Sequence, residues 1–240
     1  NTITTAAGTT NASGVNTITT TEGTANLSGV NTITTAEGTV NASGINTITT
    51  AEGTTNASGT NTVTTAQGTV NMSGVNTVTT ASSRVSMSGI NTISTVDGGT
   101  VLVTGQANTI TTNQGNVWMS GKSSTVTNAN GGDVYISGST NTVTNADGGR
   151  IFITGHTTTL ATAQGTVNIT GKEVTITTAN GVVNISGGNG CTNTVTTAND
   201  KVTMTGTNTV TSAAGDVYAS GINYITTVGD DVFMTGTNTV

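Results

Sequence analysis

The stretch Asn1-Thr-Ile-Thr-Thr-Ala-Ala-Gly-Thr-Thr-Asn-Ala-Ser-Gly-Val15 returns, with substitutions, along the whole 240-residue chain. New copies start at Asn16, Asn31, Asn46, Asn61, Asn76, Asn91, Asn108, Ser124, Asn141, Thr158, Val174, Asn193, Asn208, Asn223 and Asn238. The interval between copies is constant as far as Asn91, longer from there to Asn193, and constant again to the end. A unit this short cannot bury an apolar face alone, so the copies must stack on one another. Each copy is therefore called a rung, and its positions are numbered as columns, with Asn1 in column 1 and Val15 in column 15.

The columns alternate between apolar and polar residues in two places within each rung. Column 3 is Ile, Val or Leu in every copy, and columns 2 and 4 beside it are mostly Thr. Columns 10 and 12 are apolar in most rungs, which leaves column 11 pointing outward. Period-2 alternation is typical of strands, and the glycines of columns 8 and 14 are typical of turns. The sequence predicts an all-β fold, a single-chain β-solenoid (parallel β-helix) with two main strands per rung.

The repeat predicts one continuous solenoid over residues 1–240. Rungs are regular over 1–90, carry corner insertions over 91–192, and are regular again over 193–240. The extra residues include Gly99, Gly132 and Gly149 in the first turn and the segment 188–191 in the second. Corner insertions leave the strands in register. Column 1 is Asn in 13 of 16 copies, which predicts an Asn ladder along one edge.

The composition excludes several classes of function. Charged residues make up 7% of the chain, and Lys and Arg together number 5, which disfavours a nucleic-acid partner. No apolar run reaches the length of a membrane span, so we expect no membrane insertion. Cys191 is the single cysteine and His156 the single histidine, and no catalytic constellation surrounds either. We expect no enzyme activity, cofactor or metal, and an extracellular or cell-surface location.

The polar columns 2 and 4 form a Thr-x-Thr array, complete in 12 of 15 full rungs. This array resembles the Thr-x-Thr faces of insect ice-binding β-helices, although their disulfides are lacking. The resemblance implies an ice-binding face at Thr2, Thr4, Thr17, Thr19, Thr32, Thr34, Thr47, Thr49, Thr62, Thr64, Thr77, Thr79, Thr109 and Thr111. The alternative is that Thr is simply favoured on solvent-facing strands and was copied by duplication.

Column 11 holds most of the aromatic residues. It turns from Asn and Ser in the early rungs to large apolar residues later, at Leu102, Trp118, Tyr135, Phe152, Tyr218 and Phe233. An exposed apolar stripe of this kind usually marks a contact surface. It could pack laterally on another molecule or stack on sugar rings, or its members could merely cover one another.

Two further patterns, one in column 11 and one in column 7, carry chemistry that the sequence leaves open. Where column 11 is Asn it creates possible N-glycosylation sites, at Asn11, Asn26, Asn41, Asn56, Asn71, Asn168 and Asn184. A ladder of side-chain amides explains the same pattern. Column 7 holds Glu22, Glu37 and Glu52, followed by Asp97 and Asp147. These carboxylates could bridge a cation or lie solvated in turns.

The leading hypothesis is a self-associating extracellular protein. The overall pattern resembles extracellular fibre and adhesin solenoids, which implies a filament or repeat-adhesin segment whose partner is itself, end to end or laterally. The alternative is an ice-binding protein, antifreeze or ice-nucleating, acting through the Thr-x-Thr face. A second alternative is a carbohydrate-binding module that takes a surface polysaccharide on its aromatic column.

Overall fold

The computed structural model describes residues 1–82, 84–130, 132–147, 149–187, 190–229 and 231–239. These residues form a β-solenoid of about 14 turns and contain no helix. The strands are β1 Thr2–Ala6, β2 Thr9–Thr21, β3 Thr24–Ala36, β4 Thr39–Ala51, β5 Thr54–Ala66, β6 Thr69–Ala81, β7 Arg84–Val96, β8 Thr100–Asn113, β9 Asn116–Asn130, β10 Val134–Asp147, β11 Arg150–Ala163, β12 Thr166–Ala179, β13 Val183–Ser186, β14 Thr192–Ala198, β15 Val202–Ala213, β16 Val217–Val228 and β17 Val232–Thr239. Every described pairing is parallel, for example β3 with β4 and β11 with β12. The predicted fold class is confirmed.

The chain divides into two compact units, Asn1–Met119 and Ser120–Val240. In the first unit, each strand from β2 to β7 pairs in register with its neighbours, so that equivalent columns of successive rungs lie side by side. In the second unit, β10 to β12 and β14 to β17 repeat the arrangement.

The strands are longer than the sequence pattern predicts. β4, for example, begins in column 9 of one rung and ends at Ala51, in column 6 of the next. It passes through Gly44, the column 14 corner, without leaving the ladder. Only the turn around columns 7 and 8 interrupts the strands of the first unit. We call the two predicted strands of a rung its arms: the first arm contains columns 2–4 and the second contains columns 10–12. The column 14 corner joins the second arm of one rung to the first arm of the next, within one continuous strand.

The core lies between these arms. The inward side chains of column 3, such as Ile33 and Ile48, are fully buried, as are those of column 10, such as Val40 and Val70. Column 12 also faces inward, and its side chains vary in size from the small Ala57 to the large Met72. Column 6, usually Ala in the first unit, is also buried, which the alternation did not predict. Small inward residues fit here because the space between the arms is narrow.

The column 1 Asn residues from Asn16 to Asn223 lie inside the core and not along an edge. Asn31, Asn46 and Asn61 are each 1% exposed. Asn31 Nδ2 donates to Asn46 Oδ1 at 2.7 Å, and Asn46 Nδ2 donates to Asn61 Oδ1 at 2.7 Å. Each Nδ2 also donates to the column 13 carbonyl of its own rung, as Asn46 does to Ser58 O at 3.1 Å. A buried amide is tolerated only when it is hydrogen-bonded, and the repeat provides the partners.

The buried ladder is interrupted in the second unit. Ser124, Thr158 and Val174 replace Asn in column 1. The next Asn after Ser124 is Asn141, and the next after Val174 is Asn193; the Oδ1 of each has no hydrogen-bond partner among the described residues. The interruption shows the direction of the ladder, because each Oδ1 depends on a donor from the preceding rung.

The column 14 glycines meet two separate requirements. Gly44 has φ of 105°, and a Cβ there would lie 2.1 Å from the carbonyl oxygen of Gly29. In the second unit, Gly138 does not have positive φ, yet a Cβ would still lie 2.2 Å from Gly121 O. The close approach of rungs therefore leaves no room for a side chain at either of these two corners, and at Gly44 the positive φ is a second reason for Gly.

Insertions do lie at the corners. The register of β7 with β8 shifts after Gly89, so that Ile90 pairs with Ala107 and Gln106 is the added residue. The sequence pattern predicts an added residue in this rung only at Gly99, in the first turn. Within the insertion 188–191, residues 188 and 189 lie outside the described residues.

Candidate functional site

The Thr-x-Thr array of the first unit lies on the outer side of one arm. We call columns 2 and 4 of rungs one to eight the threonine face. All of its described side chains are exposed except Thr109, which is half-buried. Thr17 pairs with Thr32 and Thr32 with Thr47, so the residues repeat at the rung spacing of about 4.8 Å. Ser94 is the one substitution within these rungs. The predicted ice-binding residues are thus brought together on one regular surface.

The same columns are less regular in the second unit. Ala161 replaces Thr in column 4, and Tyr224, 48% exposed, replaces it in column 2. Thr125 and Thr142 are half-buried. The longest run of rungs with exposed Thr in both columns is rungs one to six of the first unit, from Thr2 to Thr79.

The structure divides the predicted aromatic contact residues into exposed and covered members. In the first unit, Leu102 is 44% and Trp118 36% exposed. In the second unit, Tyr135 and Phe152 stack with ring centroids 5.0 Å apart, and both are half-buried.

The other aromatic pair of the second unit is arranged in the same way. Tyr218 stacks on Phe233 with centroids 4.9 Å apart, and the Nζ of Lys201 lies 4.7 Å from the Tyr218 ring centroid. Phe233 remains 52% exposed, whereas Tyr218 is half-buried. Stacking between rungs thus covers part of the aromatic surface that the sequence predicts to be a contact surface.

Sequence reasoning missed an exposed row of aliphatic side chains in column 15. We call Val15, Val30, Ile45, Val75 and Ile90 the aliphatic ridge. Their exposed fractions run from 44% to 67%, and Thr60 stands among them. Because column 15 follows the bend at the column 14 glycine, the period-2 alternation does not assign its side chain to the core. The recurrence of Val and Ile directly after Gly was the available signal.

A groove runs along the outer side of the second arm in the first unit. One wall is formed by column 11, from Asn11 to Leu102, and the other by column 13, from Ser13 to Thr104. Column 12 forms the floor, and the groove has a volume of about 960 Å³.

The possible glycosylation sites of column 11 form one wall of this groove. Asn26 Nδ2 donates to Asn11 Oδ1 at 2.8 Å, and Asn41 and Asn56 continue the ladder at 2.9 Å. Asn71 joins it at 3.0 Å. In the second unit, Asn184 donates to Asn168 at 3.0 Å. The expectation of an amide ladder in column 11 is confirmed.

The ionisable side chains are spread over the surface. Glu22, Glu37, Glu52, Asp97 and Asp147 are all exposed at the first turn. Among the described residues, no three His, Cys, Asp or Glu side chains come close enough together to hold a metal ion.

One ion pair has a defined geometry in the second unit. Arg150 Nε donates to Asp133 Oδ1 at 3.2 Å, and Arg150 Nη2 donates to Asp133 Oδ2 at 2.5 Å. The side-chain hydrogen bonds from Arg150 lower the pKa of Asp133, and the same bonds raise the pKa of Arg150. His156 is exposed beside Thr157, and Cys191 is a free, buried thiol.

No family model, curated protein or solved structure matches this chain. Within the described part of the chain, no helix has both the length and the apolar character needed to cross a membrane. The candidate surfaces are therefore judged on their own geometry.

Proposed function

We propose that the first unit binds ice through the threonine face. The observation that supports this most is the in-register repetition of exposed Thr in columns 2 and 4 of rungs one to six, from Thr2 to Thr79. Neighbouring Thr residues lie about 4.8 Å apart along the solenoid and about 6.8 Å apart along a strand. The face is a two-dimensional lattice of hydroxyl and methyl groups.

The chemistry of the face suits a solid water surface better than a charged or flexible ligand. Its columns contain no ionisable side chain in the first unit, and Glu22, Glu37 and Glu52 lie beyond it in the turn. Thr is β-branched and has few rotamers in a strand, so its hydroxyl positions are well ordered before binding. Preorganisation lowers the entropy lost on binding. The face can therefore hold water molecules at regular positions, as the resemblance to ice-binding β-helices implies.

The decisive experiment replaces mid-array threonines by a long charged side chain. We expect Thr64→Lys, Thr79→Lys and Thr111→Lys together to abolish most of the thermal hysteresis, because each Lys lifts the ice surface from its neighbours. The matched control places three lysines on the other arm, at Ser58, Ser73 and Ser88, all of which are exposed. The proposal fails if the intact protein shows neither thermal hysteresis nor ice nucleation, or if both triple variants behave alike.

A second candidate function, lateral self-association, is favoured by the aliphatic ridge. Five Val and Ile side chains along six successive rungs expose apolar surface that a second copy of the chain could cover with its own ridge. The ridge adds to the contact surface expected from Leu102 and Trp118, both in the same unit. A protein of the fibre or adhesin class would use such lateral contacts to form sheets or bundles.

Sedimentation velocity tests this second candidate. We expect the intact chain to sediment as a concentration-dependent oligomer, and Ile45→Lys with Val75→Lys to shift it to the monomer, because like charges would then face each other. Thr47→Lys with Thr77→Lys, on the threonine face, is the control and should leave the oligomer unchanged. A monomeric intact protein at high concentration would exclude association through the ridge.

A further inference from the structure

We propose that the groove between columns 11 and 13 of the first unit binds a linear, neutral, β-linked polysaccharide. Column 11 contributes the amide ladder from Asn11 to Asn71, and column 13 contributes a parallel row of hydroxyls from Ser13 to Thr104. The site is distinct from the threonine face and from the aliphatic ridge, so it does not depend on ice binding or self-association.

The walls of the groove offer repeated hydrogen-bonding groups. An Asn amide has two N–H donors, and each ladder bond, such as Asn41 Nδ2 to Asn26 Oδ1, uses one of them. The second N–H remains for a ligand at every rung of the ladder. The opposite wall presents a Ser or Thr hydroxyl, which both donates and accepts. A ligand with many hydroxyl groups along both of its edges can bond to both walls.

The floor carries no projecting side chain. It is formed by column 12, where Leu27, Ala42, Ala57, Met72 and Met87 line the groove. Their side chains face the core and the residues are only 3% to 5% exposed, so the strand itself closes the bottom of the groove between the two walls. A β-linked sugar ring is flat and has equatorial hydroxyls at its edges. It therefore matches a groove that has an even floor and is polar on both sides.

Charge and length narrow the class of ligand. The residues that line the groove are Asn, Ser, Thr, Ala, Leu and Met, none of which is ionisable. Such a groove provides no counter-charge for an anionic polymer or a nucleic acid. Seven rungs extend over about 29 Å between the first and last, which suits an extended chain of several sugar units. A peptide strand could not add here, because the backbone groups of this sheet face are already paired within the ladder.

One end of the groove carries an aromatic side chain. Leu102 lines both the groove and an adjoining depression that is also lined by Trp118 and Arg84. Trp118 is 36% exposed and is the single Trp of the chain. A sugar ring that leaves the groove at this end would meet the indole and the guanidinium. The indole also provides a spectroscopic signal that reports on this one place.

The test titrates the full chain with cellohexaose, followed by calorimetry and by Trp118 fluorescence. We expect measurable binding by both methods, weaker binding of the helical maltohexaose, and none of hexagalacturonate, which is anionic. Ser58→Arg in the middle of the groove should weaken cellohexaose binding by about tenfold or more, because its side chain fills the space above the floor. Thr49→Arg, an equal change on the threonine face, should leave the affinity unchanged.

Three outcomes would overturn the proposal. The first is no binding of cellohexaose by the intact chain. The second is binding that Ser58→Arg does not weaken although circular dichroism shows that variant to be folded. The third is hexagalacturonate binding as tightly as cellohexaose. Thermal hysteresis of the same Ser58→Arg variant distinguishes the two sites, since ice binding should survive the change whichever way the sugar titration turns out.

Discussion

At the scale of single residues, we expect a buried column 1 amide to contribute more to the free energy of unfolding than an exposed column 11 amide. Asn61 accepts from Asn46 and donates to Asn76, both at 2.7 Å, inside the core. Asn56 makes the same kind of pair with Asn41 at 2.9 Å, but in contact with solvent. Water can replace a lost partner only at the second position, so the two otherwise similar amides should respond differently to removal.

We predict that Asn61→Ala lowers the free energy of unfolding by about 2–4 kcal/mol, because it leaves the Nδ2 of Asn46 and the Oδ1 of Asn76 each short of a buried partner. Asn56→Ala should cost about 1 kcal/mol or less, since water reaches both of its neighbours. Urea denaturation of both variants measures the difference. Equal losses of stability in the two variants would show that burial does not determine how much an amide ladder stabilises the fold.

A second prediction concerns Thr55, which is 0% exposed and whose Oγ1 has no hydrogen-bond partner among the described residues. It pairs with Val40 and Val70 in column 10. Thr55→Val keeps the shape and removes a buried, unpaired hydroxyl, so it should raise stability by about 1–2 kcal/mol. The reverse change, Val40→Thr, should lower stability by a similar amount in the same denaturation assay. A loss of stability in Thr55→Val would indicate that the hydroxyl is bonded.

At the scale of elements, the glycine corner decides whether two arms can join within one ladder. Gly44 combines φ of 105° with a Cβ position 2.1 Å from Gly29 O. Gly8, in the first rung, has φ of 79° but no atom within 4 Å of its Cβ position. Gly8 therefore reports the effect of backbone strain alone, whereas Gly44 reports backbone strain together with the close approach of rungs.

We predict that Gly44→Ala costs more than about 3 kcal/mol, because the backbone strain is joined by a contact that only a displacement of the rungs can relieve. Gly8→Ala should cost about 1–2 kcal/mol, from the left-handed backbone alone. Thermal unfolding followed by circular dichroism distinguishes these values. If both variants lose the same stability, positive φ alone explains the recurrence of Gly between the rungs of this chain.

Sequence patterns predicted the inward and outward columns but not how the arms connect. Period-2 alternation places Ile33 inside and Thr32 outside without ambiguity, because the strand period fixes the side of each residue. It could not place Asn31, since Asn is normally exposed and its burial depends on partners from the next rung. The aliphatic ridge was missed for a related reason. Val30 follows a glycine bend, where alternation no longer assigns a side.

At the scale of the whole molecule, the repeat makes each rung depend on its immediate neighbours. In the first unit, β4 pairs with β3 and β5, and β5 pairs with β4 and β6, all in register. Stability in such an arrangement is approximately a sum over rungs and the interfaces between them. A complete rung can therefore be removed without changing the pairing of those that remain. The candidate sites of this unit also repeat once per rung, so removing one rung should weaken their binding and not abolish it.

The last prediction compares two deletions of equal length within the first unit, residues 46–60 and residues 61–75. Both keep the column order, because each starts at column 1 and ends at column 15. The first removes Thr55 and Ala57 from the core, whereas the second removes Val70 and Met72. The second deletion should therefore lower the free energy of unfolding by about 2 kcal/mol more than the first, from the difference in buried apolar surface. Urea denaturation of both variants tests this, and thermal hysteresis should fall equally, since each loses two Thr of the threonine face.

Deletion of residues 46–55, which breaks the column order, is the control and should prevent cooperative unfolding. If it unfolds as cooperatively as the whole-rung deletions, the register of the columns does not hold the first unit together.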